Sequence, residues 1–135
     1  MTLLLHYPFV TATGDTMSIA SLKNGYLVLD FWYASCEPCL RALPVANQLA
    51  EDYADKELQL IGINCFNKDI RENVVKRLLD KNITIPLFFG SKDLTDALHI
   101  NGSPSYILIT PNRHINFIEG GIDEVKKVIE EIYHK

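Results

Sequence analysis

No stretch of this chain reaches the roughly 20 consecutive apolar residues of a membrane-crossing helix, although 47% of its 135 residues are hydrophobic. The sequence therefore predicts no spanning segment and directs its apolar content to a core. Basic clusters are absent too. The 13 Lys and Arg residues are interspersed among 17 Asp and Glu, for a formal charge of −4, which argues against a nucleic-acid partner. The opening Met1-Thr2-Leu3-Leu4-Leu5-His6-Tyr7-Pro8 has no basic stretch ahead of its three leucines, so it does not read as a secretory signal. Cysteine is scarce, at positions 36, 39 and 65 only, and the histidines at 6, 99, 114 and 134 supply no second Cys-x-x-Cys, Cys-x-x-His or His-x-x-x-His. Zinc would find half of its four ligands, and no metal or organic cofactor is expected. No linker or repeat interrupts the chain, which reads as a single domain over residues 1–135.

What is present is Cys36-Glu37-Pro38-Cys39, directly after the apolar run Leu27-Val28-Leu29-Asp30-Phe31-Trp32-Tyr33. A strand ending before Cys36 and a helix starting there would set the first sulfur over free backbone N–H groups, which stabilise a thiolate. Cys39, one turn on, shares that helix face and lies within bonding reach. One thiol can attack and the other resolve. Pro38 fits the first helical turn, where its missing N–H costs nothing, while Glu37 is a first-turn acid that opposes strong activation of Cys36. Half of a zinc site, a structural disulfide and two inert core cysteines remain as alternatives. A disulfide closing so small a loop would be a poor staple.

The stretch from Asp30 to Pro44 resembles the active-site segment of thioredoxin-fold proteins, most closely the TlpA/ResA-like thiol–disulfide oxidoreductases. Besides the cysteines it has the Phe31-Trp32 pair, an acid six residues before Cys36, and Pro44 five residues after Cys39, where the family's helix is kinked. Gly102-Ser103-Pro104-Ser105-Tyr106-Ile107-Leu108-Ile109 resembles the family's segment carrying a cis-proline that faces the disulfide. The resemblance runs from about Phe9 to the C-terminus. It implies an extracytoplasmic location, often with an N-terminal membrane anchor, and a monomer exchanging electrons with a protein disulfide substrate and an electron-donor protein. Three departures stand out: Ser35 where the family has a large residue, Ser103 where Thr, Val or Ile is usual, and Cys65 where the pattern requires no cysteine.

Read coarsely, the chain alternates strands and helices. Leu27–Tyr33 is strand-like, and Leu40, Leu43, Ala46, Ala50 and Tyr53 mark one face of a helix over about 37–54. Leu58–Ile63 reads as a buried parallel strand. Asp69 and Glu72 form a capping pair for a helix with apolar positions Ile70, Val74, Val75, Leu78 and Leu79. A short strand near Ile85–Phe89, a helical turn near Leu94–Leu98, a hairpin of Tyr106–Thr110 with His114–Glu119 and a last helix after Gly120-Gly121 complete the pattern. The expected architecture is α/β: a thioredoxin fold, with a central mixed sheet flanked by helices on both faces. Residues 1–26 form an N-terminal extension with a hairpin turning at Thr13-Gly14-Asp15, followed by a loop or short helix over Ser18–Asn24.

The function that follows is thiol–disulfide exchange in protein substrates, in the reducing direction, with Cys36 as the exposed nucleophile and Cys39 as the covered resolving thiol. Asp30, a carboxylate inside an apolar strand, is expected to have a raised pKa and to accept the Cys39 proton; a strand-end Asp with no catalytic part is the alternative. Trp32, Glu37, Pro38, Ser103 and Pro104 are the expected substrate contacts, although Trp32 also fits a plain core role. A thioredoxin-fold module that holds peptides without redox turnover is the competing function. Cys65 reads as a small apolar residue ending a strand.

Overall fold

The computed structural model describes residues 2–134. After a short helix α1 (Thr2–His6), a hairpin joins β1 (Phe9–Thr11) to β2 (Thr16–Met17), and a 3₁₀ turn (Ile19–Ser21) leads to β3 (Tyr26–Phe31). Then come α2 (Glu37–Asp52), β4 (Leu58–Asn64), α3 (Arg71–Asp80), β5 (Leu87–Phe89), α4 (Lys92–Ala97), β6 (Ser105–Ile109), β7 (Ile115–Ile118) and α5 (Ile122–Tyr133). The strands form one sheet in the order β2-β1-β5-β4-β3-β6-β7. Its centre, β5-β4-β3, is parallel, and β1 and β6 pair antiparallel to it on either side. This is the thioredoxin fold with its N-terminal hairpin, which turns through Gly14 at φ 94°, a left-handed conformation that glycine adopts without strain.

The sheet is covered on both faces, which is why β3 and β4 read as nearly unbroken apolar runs. Alternate residues serve opposite cores. Val28 of β3 and Trp32 just after it join Cys39, Leu43 and Ala46 of α2, Val74 and Leu78 of α3, and Val125 and Ile129 of α5. Leu27, Leu29 and Phe31 face the other way, onto Leu4 of α1, Ile19, and Leu94 and Leu98 near α4. Asp30 falls in register on the α2 side, the one acid among the buried positions of β3. Pro44 sits inside α2, where it cannot donate to the Leu40 carbonyl.

Two sequence expectations need correction. The Asp69–Glu72 capping pair does not form: Ile70 is the N-cap of α3 without a side-chain bond, Glu72 pairs with Arg71 at 2.8 Å, and Asp69 turns toward the active-site loop. Ile70 and Leu79, assigned to the apolar face of α3, are 60% and 59% exposed. Only Val74 and Leu78 of that helix are buried, because a short helix laid on the sheet buries a narrow stripe of one face. The helix α1 had no periodic signal, since five residues are too few to show one.

Candidate active site

Cys36 occupies the N-cap of α2 with extended backbone (φ −87°, ψ 101°), and its Sγ accepts a hydrogen bond from the Cys39 N–H at 3.3 Å. Sulfur thus takes the place that an oxygen of Ser or Asp fills in an ordinary cap, at the positive end of the helix dipole. Cys36 and Cys39 are joined as a disulfide with their Cα atoms 5.2 Å apart. Cys36 is 4% exposed and Cys39 1%. Both are buried, so the open exposure expected of Cys36 does not appear. The Ser103 carbonyl oxygen lies 3.4 Å from Cys36 Sγ, so the loop before β6 closes over the sulfur. Within that loop the Ser103–Pro104 peptide bond is cis, and both residues are half-buried.

Around the disulfide the expected contacts divide. Glu37 and Pro38 are exposed on the first turn, and Glu37 leans toward Arg41 at 3.9 Å in a solvated pair that stabilises little. Trp32 is 2% exposed and belongs to the core beneath the cysteines, its Nε1 lying over Gly62, where an added Cβ would meet it at 3.0 Å. Gly62 leaves the room in which the indole sits. Tyr33 stacks against Phe66 at 5.1 Å, and beside them opens a cavity of about 450 Å³ whose wall includes Cys65, Lys68, Ile100 and Ser103.

Asp30 is 1% exposed, and neither carboxylate oxygen has a hydrogen-bond partner among the described residues. Burial pushes its pKa up to about 7. Across the sheet it is flanked by Gly62 of β4 and Tyr106 of β6. The Tyr106 hydroxyl is likewise buried and unpartnered, its pKa raised first by burial and then by the charge of Asp30. Cys65 is 7% exposed, and burial pushes its thiol up to about 12 against the opposing Gly90 N–H, so it stays protonated and unreactive near neutral pH. His99, His114 and His134 are exposed. Among the described residues no three His, Cys, Asp or Glu side chains gather as a metal site requires, and no helix is long and apolar enough to cross a membrane.

One element of the site escaped the sequence reading. Asp69 Oδ2 accepts from the Ala34 N–H at 2.8 Å and from Asn64 Nδ2 at 2.9 Å, linking the turn before Cys36 to the loop after β4. Both donors are distant or structural in a way that no local pattern marks. The one signal was a polar Asn64 closing the run Leu60–Ile63.

A thioredoxin fold that places a Cys-x-x-Cys disulfide at a helix N-terminus, opposite a cis-proline loop, defines a thioredoxin-like dithiol–disulfide protein. The chain belongs to the AhpC/TSA family, whose sequence model matches residues 5–118. Among relatives it is 24% identical to the thioredoxin-like protein YneN of Bacillus subtilis, over 90% of this chain and 72% of that one. It is 26% identical to the thiol-disulfide oxidoreductase ResA of Halalkalibacterium halodurans, over 87% of this chain and 66% of ResA, slightly under two-thirds of that protein's length. The fold matches the thioredoxin domain of a thiol-disulfide oxidoreductase from Bacteroides vulgatus with a TM-score of 0.82 at 22% identity, covering 93% of this chain and 91% of that one. A secreted Mycobacterium tuberculosis disulfide oxidoreductase matches with a TM-score of 0.79 at 17% identity, over 97% and 99% of the two chains.

Proposed function

We propose that the chain is a thiol–disulfide oxidoreductase that reduces or exchanges disulfides in protein substrates, with Cys36 as nucleophile and Cys39 as resolving thiol. The observation that carries this assignment is the N-cap position of Cys36, whose sulfur accepts the Cys39 N–H while Cys39 lies one turn inside the helix. In the reduced protein the Cys36 thiolate attacks a substrate disulfide, forming a mixed disulfide and releasing one substrate thiolate. Cys39 then attacks Cys36 Sγ; the second substrate thiolate leaves, and the Cys36–Cys39 disulfide forms. Two electrons have moved to the substrate, and a donor protein must return two to the pair. No metal or organic cofactor takes part.

Asp30 supplies the proton acceptor for Cys39. It shares the α2-facing side of β3 with Trp32, which packs in the same core as both cysteines, and a carboxyl of pKa about 7 exchanges protons readily near neutral pH. Ser103 and Pro104 offer backbone beside Cys36 to an extended substrate segment, while Glu37 and Pro38 form the exposed rim and Trp32 supports the disulfide from below. The first-turn Glu37 and the absence of a basic residue between the cysteines favour a reducing pair. The secreted Mycobacterium tuberculosis disulfide oxidoreductase that shares this fold supports work outside the cytoplasm.

The test is covalent trapping. With Cys39→Ser, Cys36 attacks a substrate disulfide but nothing resolves the adduct, so a mixed disulfide accumulates; Cys36→Ser gives none. Equal trapping by both variants, or trapping by Cys36→Ser alone, would reverse or remove the assignment. Binding of a partner undiminished by replacing both cysteines with serine would favour a peptide-holding module instead.

A further inference from the structure

We infer that Asp69 is a positioning residue for the nucleophilic cysteine, fixing the turn that carries Cys36 by holding the backbone of Ala34; the inference rests on the redox reading above. Cys36 is outside the helical repeat, so α2 alone does not dictate how its sulfur approaches Cys39. Something else must restrain the turn from Tyr33 to Cys36. Within it, the Cys36 N–H donates to the Tyr33 carbonyl at 3.1 Å. Ala34 is then gripped at both backbone groups by the segment after β4. Its N–H donates to Asp69 Oδ2 at 2.8 Å, and its carbonyl accepts from Arg77 Nη1 of α3 at 3.4 Å.

The clamp is itself braced. Asn64, 2% exposed, donates through Nδ2 to the same Asp69 oxygen at 2.9 Å, and its Oδ1 accepts the Phe66 N–H at 2.9 Å. The amide is thereby fixed at both ends, and the carboxylate is held against Ala34 in a charge-assisted bond. Restricting the turn raises the effective concentration of Cys36 sulfur toward Cys39, which favours ring closure to the disulfide over open thiols.

Because both donors converge on one oxygen, Asp69→Asn keeps an acceptor where it is needed, whereas Asp69→Ala removes it. The experiment equilibrates the full chain and both variants with glutathione buffers and follows hydrogen exchange at the Ala34 amide. Asp69→Ala should lower the equilibrium constant for the Cys36–Cys39 disulfide about fivefold or more, roughly 1 kcal/mol, and release the Ala34 amide to fast exchange. Asp69→Asn should stay within about twofold of the parent, since a shift that small lies under 0.5 kcal/mol. A constant and protection unchanged in Asp69→Ala would overturn the inference, as would an Asn variant that falls as far as Ala. Should Asp69→Ala not fold, the Ala34 amide of the parent decides: slow exchange there and in Asp69→Asn supports the clamp, and fast exchange in the parent removes it. A parent chain that failed to equilibrate with glutathione at all would overturn the redox reading and this inference together, whereas an unchanged constant in Asp69→Ala overturns the inference alone.

Discussion

Asp30 and Asn47 are both polar side chains buried on the α2 side of the sheet, at 1% and 9% exposure, and they are treated in opposite ways. Asn47 Oδ1 accepts from the Thr84 N–H at 2.8 Å, the Ile85 N–H at 3.2 Å and the Thr84 hydroxyl at 3.3 Å, while Nδ2 donates to the Asn82 carbonyl at 3.1 Å. It stands in for strand pairing that the loop before β5 cannot make for itself. Asp30 has no partner on either oxygen. A buried polar group that is satisfied contributes to stability, and one that is not costs the full desolvation of that group. The comparison separates a polar group that the fold satisfies, Asn47, from a destabilised carboxyl near its own titration point, Asp30, which is the environment the proposed proton acceptor needs.

Breaking the Asp30 side of the contrast should give the largest effect. Its carboxyl titrates near 3.8 unfolded and near 7 folded. Between those values the folded state holds a proton that the unfolded state has released, so stability falls as pH rises through that window and is level above it. The difference, 7 − 3.8 or about 3 pKa units, corresponds to a loss on the order of 4 kcal/mol. Urea unfolding of the oxidised protein at pH 4 and pH 8.5 should show that loss in the parent and not in Asp30→Asn, whose own unpaired amide adds only a pH-independent offset. The same variant should slow the resolving step by about 10²-fold or more, the usual weight of a positioned proton acceptor. A parent whose stability is flat across this range would mean that Asp30 stays charged and has found partners, and the contrast with Asn47 would collapse.

Asn47→Ala breaks the other side. Losing its oxygen strands the Thr84 and Ile85 N–H groups, which should cost about 2–3 kcal/mol, with no pH dependence and with disulfide exchange retained. The urea midpoint and amide exchange at Thr84 and Ile85 measure it. A variant that keeps its stability but loses turnover would place Asn47 in the chemistry and reverse the comparison.

The sequence exposed one half of this contrast and concealed the other, for a physical reason. An acid within Leu27–Phe31 contradicts its neighbours and is visible to anyone reading the strand, as is a Cys-x-x-Cys placed where a strand gives way to a helix. Asn47 looks like a surface residue on an amphipathic helix, because its partners lie 35 to 38 residues away. Asp69 is harder still. Its spacing to Glu72 imitates a capping box, yet its carboxylate leaves the local helix for Ala34, 35 residues earlier. Periodicity and caps are local and could be read; contacts fixed by the packing of β3 beside β4 exist only once the sheet has formed. The closure of the Ser103 loop over Cys36 belongs to this second kind, and it is why an exposed nucleophile was expected and a covered one found.

The smallest effect sharpens the comparison most, because it asks whether Asp30 and its neighbour Tyr106 act on each other. Tyr106 stands directly across from Asp30 in the β3–β6 pairing, with its hydroxyl buried and unpartnered. Unpartnered, the hydroxyl contributes only its desolvation cost, and Tyr106→Phe should stabilise the oxidised protein by about 1 kcal/mol. At pH 5, where the Asp30 carboxyl is protonated and its charge no longer acts on the phenol, the gain should be equal in the parent and in Asp30→Asn, and any inequality measures the coupling between these neighbours. Urea unfolding of the four proteins at pH 5 and pH 8.5 closes the cycle. Suppose instead that Tyr106→Phe destabilises by a similar amount at pH 8.5 only, and that Asp30→Asn abolishes the loss. The phenol would then be donating to the ionised carboxylate, Asp30 would be partly satisfied after all, and its pKa would lie below 7 by the strength of that bond.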